Sequence, residues 1–186
     1  MSRRPRDPEG RRRAIIEAAG RVIAENGVGG LTHRKVAEAA DVPVGSTTYY
    51  FTDLDDLINA TLTHAAEACA ACLTDWARVL DAATDLPAAL AELTVEYLAD
   101  RDRHRALNEL YTAATHRPEL RPTARMWTEG LIALLTPRIG ARSARAVAVF
   151  MDGVLLHTLI TDEPVSVAEL TGALAALLTI PDADGR

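Results

Sequence analysis

Residues 31–51 read LTHRKVAEAADVPVGSTTYYF, and this stretch decides the fold. It describes two short helices joined by a tight turn. Thr32 is a good N-cap, because a hydroxyl at that position accepts from an otherwise unsatisfied backbone N–H. Leu31 before it and Val36 inside the helix have the spacing of a hydrophobic staple. Val36, Ala37 and Ala40 then form one apolar face at helical spacing. Asp41 and Val42 lead to Pro43, whose fixed φ suits the first position of a second helix. That helix opens with Gly45, Ser46, Thr47 and Thr48, which carry little bulk, and closes with Tyr49, Tyr50 and Phe51. Small residues let backbone and hydroxyls approach base edges and phosphates, and tyrosines offer hydroxyl donors on rigid rings. This is the layout of a helix-turn-helix whose second helix enters the DNA major groove. Thr32, Arg34, Lys35, Val44, Gly45, Ser46, Thr47, Thr48, Tyr49 and Tyr50 form the candidate DNA-contact set. Ser46, Thr47 and Thr48 are the candidates for sensing bases, while Thr32, Arg34, Tyr49 and Tyr50 fix position on the backbone.

The same residues resemble the TetR family of transcriptional regulators. Gly30, Thr32, Arg34, Val36, Ala37 and Ala40 match its first motif, and Val42, Gly45, Tyr49 and Phe51 its second. The pattern covers about the first third of the chain; beyond it only length and helical character agree. The family often places a phosphate-binding lysine three residues after the phenylalanine. Leu54 stands there in this chain, flanked by Asp53, Asp55 and Asp56.

Charge is divided along the chain in a way that fits this reading. The net charge is −6, yet residues 1–54 hold nine basic and seven acidic residues, and residues 55–186 hold eleven and nineteen. Six arginines fall in the first thirteen residues. A basic arm on a compact head, with an acidic remainder, suits local phosphate binding. This arm, from Met1 to Pro8, is expected to order on a phosphate backbone or in the minor groove. Hydrophobic residues make up 48% and aromatic ones only 4%, so the core must be built from Ala, Leu, Val and Ile, which favours helices. No membrane span or secretion signal is expected, and the expected location is the cytoplasm.

Apolar periodicity and breaks predict an all-α chain of about nine helices. The first runs from Glu9 to Asn26 and stops at Gly27. A long fourth helix follows a cap at Thr52 and carries Leu57, Ile58, Leu62, Ala65, Cys69, Cys72, Leu73, Trp76 and Leu80. A fifth ends near Asp100, the charged run Arg101–Arg105 reads as a solvated connection, and a sixth spans Ala106–His116 before Arg117-Pro118. The seventh runs Leu120–Ile139 and the eighth Ser143–Thr161. Ser166 with Glu169 forms a capping box for the ninth, which ends at Pro181. The expected domains are residues 1–54, a helix-turn-helix head of three helices with its basic arm, and residues 55–186, a helical domain for effector binding and dimerisation.

Other chemistry is weakly signalled. Cys69 and Cys72 form a lone CxxC inside a helical stripe, without the further ligands a zinc site needs. The five histidines show no metal-ligand spacing, and no nucleophile elbow exists. No metal, cofactor or enzymatic activity is expected. The resemblance implies an effector pocket among helices four to seven and a dimer interface on helices eight and nine. His64, Cys69, Tyr97, Asn108, Tyr111, His116 and Trp127 are the polar and aromatic candidates for the pocket, which suits a small hydrophobic or amphipathic compound. Val147, Phe150, Gly153, Val154, Leu170, Leu174 and Leu177 are the candidates for the homodimer interface. The expected partners are double-stranded DNA with a near-palindromic site, a small-molecule effector and a second copy of the chain. A regulator without a small-molecule effector, or an activator, stands as the alternative; a helical enzyme or carrier on the same scaffold would not need GSTTYYF.

Overall fold

The computed structural model describes residues 7–161 and 163–181. Among these residues lie nine α-helices and no strand: α1 (Pro8–Asn26), α2 (His33–Ala39), α3 (Val44–Tyr50), α4 (Leu54–Ala82), α5 (Leu86–Leu98), α6 (Arg101–His116), α7 (Arg121–Ala124), α8 (Met126–Thr161) and α9 (Val167–Leu177). The fold is all-α, as the periodicity predicts. Arg3, Arg4 and Arg6 of the basic arm lie outside the described residues.

Packing gathers the chain into two compact units. The first takes in Met1–Ala65 and Arg105–Arg121, the second Ala66–His104 and Pro122–Arg186. The helix-turn-helix head therefore packs with more chain than residues 1–54: the first turns of α4 and all but the first turn of α6 belong to its unit. Leu107, Leu110, Ala114 and Leu120 are buried there with Ile15, Ile23, Val36, Phe51, Leu57 and Leu62. Arg117 on this segment meets Asp55 at 2.6 Å.

Local chemistry sets the ends of the elements in the first unit. The Asp7 carboxylate accepts from Gly10 N at 2.8 Å and caps α1, with Pro8 in the first turn. Gly27, at φ 69°, ends that helix in a conformation that costs glycine little. Thr32 caps α2 through Lys35 N, as expected. The α2–α3 turn is a Schellman arrangement, with Val42 N bonded to Ala37 O and Asp41 N to Glu38 O. Asp41 holds the left-handed position at φ 51°, where glycine is the usual occupant. Pro43 is the residue before α3 rather than its first member. At α4 the expected Thr52 cap is replaced: the Asp53 carboxylate accepts from Asp56 N, and Asp56 accepts from Thr52 N. An ionised carboxylate is the stronger acceptor at the positive end of a helix.

The second unit is built from the remainder of α4, α5, the start of α6, α8 and α9. The run Arg101–Arg105 is helical, not a connection, and His104 within it is buried. The break expected after Ile139 falls at Gly140, whose φ of 78° and ψ of 160° suit glycine alone. Pro137 and Arg138 precede it, and Arg138 bonds Asp81 of α4. Pro118–Thr161 could cross a bilayer by length and composition, although no uninterrupted apolar run of that length occurs in it. The turn at Gly140 and the arginines at 138, 142 and 145 interrupt it, and its inner stripe forms the core of this unit. The capping box of α9 is present, with Ser166 and Glu169 bonded reciprocally. These bonds hold the Glu169 carboxyl below the usual carboxylate range. The helix ends at Leu177, short of the expected Pro181.

Candidate functional site

In the first unit α3 presents a polar and aromatic face to solvent. Gly45, Thr48 and Tyr49 are exposed, Tyr49 to 82%, and Ser46 and Tyr50 are half-buried. Tyr49 and Tyr50 meet edge to face at 5.1 Å, which stiffens both rings. A groove of about 510 Å³ runs beside them, lined by Asp7, Pro8 and Arg11 of the α1 start and by Pro43, Gly45, Ser46, Tyr49 and Tyr50. Thr32 and Arg34 at the start of α2 are also exposed. Arg12 lies over the buried Phe51 ring, 5.1 Å from its centroid, so one arginine of the basic stretch is held in place by the core of the head.

Two members of the DNA-contact set have other duties. Thr47 is fully buried; its hydroxyl donates to Val44 O at 2.8 Å and lies 3.2 Å from His33 Nδ1. It cannot meet a base edge, which corrects its assignment as a base-sensing residue. The Lys35 ammonium donates to Asn26 Oδ1 at 2.8 Å and ties α2 to the end of α1. His33, absent from the expected set, is the residue that joins α2 to Thr47.

In the second unit four rings form a cluster. Tyr97 and Trp127 stack at 4.5 Å with planes 3° apart. Trp76 meets both edge on, at 6.0 and 5.6 Å. His104 lies 4.3 Å from Tyr97 and donates from Nε2 to Tyr97 O. Tyr97 and Trp127 were expected at an effector site, whereas Trp76 and His104 were read as a core position and a solvated residue. Cys69 is buried in the same unit. His64, Asn108, Tyr111 and His116 belong to the first unit, and His116 is exposed at the end of α6. The seven candidates are therefore divided between the two units.

The expected interface residues are divided too. Val147 and Val154 on α8, and Leu170 and Leu174 on α9, are buried within one chain and are core rather than surface. Phe150 and Leu177 are half-buried, and Gly153 is exposed. The outward face of α8 lies half a turn from its buried stripe and carries Val149, Gly153, Leu156 and Ile160, with Val149 62% and Ile160 71% exposed. The outward face of α9 carries Ala168, Gly172 and Ala175. A side chain added at Gly153 or Gly172 would meet nothing within 4 Å. Asp152, beside Gly153, accepts from the Thr128 hydroxyl at 3.3 Å, and burial raises its pKa.

Comparison with known proteins agrees with this architecture. Residues 15–61 match the model of bacterial regulatory proteins of the tetR family, and residues 81–180 match the tetracyclin repressor-like C-terminal domain. The transcriptional regulator BetI of Burkholderia mallei is 31% identical over 167 residues, covering 83% of this chain and 84% of its own. A TetR-family structure from Streptomyces coelicolor A3 is 43% identical with a TM-score of 0.82, covering 91% of this chain and 99% of that one. The multidrug binding protein EbrR complexed with imidazole is 43% identical with a TM-score of 0.78, covering 95% and 99%. EbrR also has structures with proflavin, malachite green and ethidium. The chain belongs to the TetR family and is a DNA-binding transcriptional regulator, not an enzyme.

Proposed function

We propose that the protein is a dimeric repressor in the cytoplasm, bound to a near-palindromic operator and released from it by an aromatic cation. Gly45 carries the DNA half of this reading. It occupies an exposed helical position where a Cβ would meet nothing within 4 Å. Glycine there costs the helix about 0.5–1 kcal/mol relative to alanine. Nothing inside the fold requires it, so the space serves something outside, and the neighbouring Thr48, Tyr49 and Arg34 suit a duplex backbone and base edges.

Dimerisation follows the same logic. Two recognition helices must stand about 34–36 Å apart to enter successive major grooves. Val149, Leu156 and Ile160 leave an apolar stripe on α8, and Gly153 and Gly172 permit close helix approach. Two such α8–α9 pairs would form a four-helix bundle about a two-fold axis. The effector half rests on the ring cluster of Trp76, Tyr97, His104 and Trp127, because aromatic rings attract cationic compounds. The EbrR complexes with proflavin, malachite green and ethidium support aromatic cations as the class. The surplus acidic charge of residues 55–186 favours cations as well. α4 contributes to both packing units, so a ligand that moves its second half can bias the head.

Trp76 and Trp127 are the two tryptophans of the chain, and both lie in the cluster. Malachite green added to the DNA-free protein is expected to quench their fluorescence saturably, and the Tyr97→Ala variant to lose the effect. The dye is then expected to weaken operator binding by about 5–150-fold, the usual range of coupling. Quenching that is linear in dye and unchanged by Tyr97→Ala would remove the effector reading and leave the DNA reading standing.

A further inference from the structure

We propose that His33 is a positioning residue for operator recognition, locking the DNA-facing first turns of α2 and α3 into one register through Thr47. The inference rests on the reading of this unit as the DNA-binding head. The Thr47 hydroxyl has one hydrogen. We assign that hydrogen to Val44 O, the nearer of its two acceptors at 2.8 Å. His33 Nδ1, 3.2 Å from the same oxygen, must then carry a hydrogen of its own and donate. The relay runs one way: His33 Nδ1–H to Thr47 Oγ1–H to the Val44 carbonyl. Thr47 is fully buried, so water does not replace either partner.

The position of this relay gives it its effect. The backbone turn joins α3 to the C-terminal end of α2, through Val42 N to Ala37 O. The turn fixes α3 at one end of α2, and the apolar packing between the two helices is non-directional. His33 is the first residue of α2, and Ala39 the last. Four residues at about 1.5 Å each place the His33 tie roughly 6 Å along α2 from the Ala37 carbonyl that holds the turn. Two separated attachments fix the rotation that one does not. The turn that His33 holds contains Val44, Gly45 and Ser46, and His33 itself sits between the exposed Thr32 and Arg34. Backbone-positioning contacts from α2 and base-sensing contacts from α3 are thereby kept in step.

The test uses the full-length protein and a duplex that the wild type enriches from a random-sequence pool, against a shuffled duplex of the same composition. His33→Ala is expected to weaken the selected duplex about five- to tenfold, the worth of one hydrogen bond, while the shuffled duplex and the salt slope stay unchanged. His33→Asn, whose amide nitrogen can stand where Nδ1 stands, is expected to restore most of the discrimination; His33→Gln, which reaches past it, is not. In a Thr47→Val background, His33→Ala is expected to add no further loss. In the unmodified protein, nitrogen-15 spectra of the imidazoles are expected to show His33 as the Nδ1–H tautomer at neutral pH. An Nε2–H tautomer, or equal weakening of both duplexes, would overturn the role. A wild type that enriches no duplex would instead remove the DNA reading on which it rests.

Discussion

Gly45 and Thr47 stand two residues apart and show how differently neighbours on one short helix can serve recognition. Thr47 is turned into the head and spends its hydroxyl on Val44 and His33. Gly45 is exposed, and a side chain added there would meet nothing within 4 Å. Replacing Gly45 by alanine is expected to raise stability by about 0.5–1 kcal/mol and to weaken DNA binding at the same time. Thermal melting and a duplex titration on the same variant check both signs. A variant that is more stable and binds equally well would show that the space at Gly45 is unused. The residue types of α3 were legible in the sequence, but the inward turn of Thr47 was not. Four small residues in a row carry no apolar signal to say which of them faces the core.

At the scale of elements, the capping and stop signals were the legible part. Thr32, Gly27, Ser166 with Glu169, and Pro118 each act through bonds or fixed angles within a few residues, and the structure places each as read. The misreadings of which face is buried have one source. On α8 apolar residues occupy two opposite faces, Val147 with Val154 inward and Val149 with Ile160 outward. Periodicity reports the stripes and not which one meets the core. The run Arg101–Arg105 misled for the related reason that its charges hide one inward histidine. Asp152 lies beside the outward stripe, and burial raises its carboxyl above the ordinary value. A raised carboxylate favours its protonated form in the folded state. It therefore costs stability above the ordinary carboxylate pKa, and the cost disappears as pH falls below it. Asp152→Asn is expected to raise the melting temperature at pH 7 and to change it little at pH 3. An equal shift at both values would point to a packing effect instead.

For the whole molecule, the proposal requires two heads carried by two copies. Ile160→Glu places a charge on the exposed α8 stripe without touching the core of the chain. The variant is expected to stay folded, to sediment as a monomer at micromolar concentration, and to lose tight operator binding while keeping weak, salt-sensitive binding to any duplex. Unchanged sedimentation and affinity would place the interface elsewhere. How chain is shared between the units was beyond sequence reading, because α4 and α6 each contribute to both and neither has a break at the boundary.

The exposed faces of α2 and α3 are proposed to read DNA. This is tested most directly by titrating the selected duplex at physiological salt with the wild type and with the double variant Arg34→Ala, Tyr49→Ala. Both side chains are exposed, so the fold is expected to survive. Two lost contacts of about 1 kcal/mol each predict a loss of roughly 30-fold or more, with the salt slope reduced by about one for Arg34. A folded double variant with wild-type affinity and an unchanged slope would contradict the account.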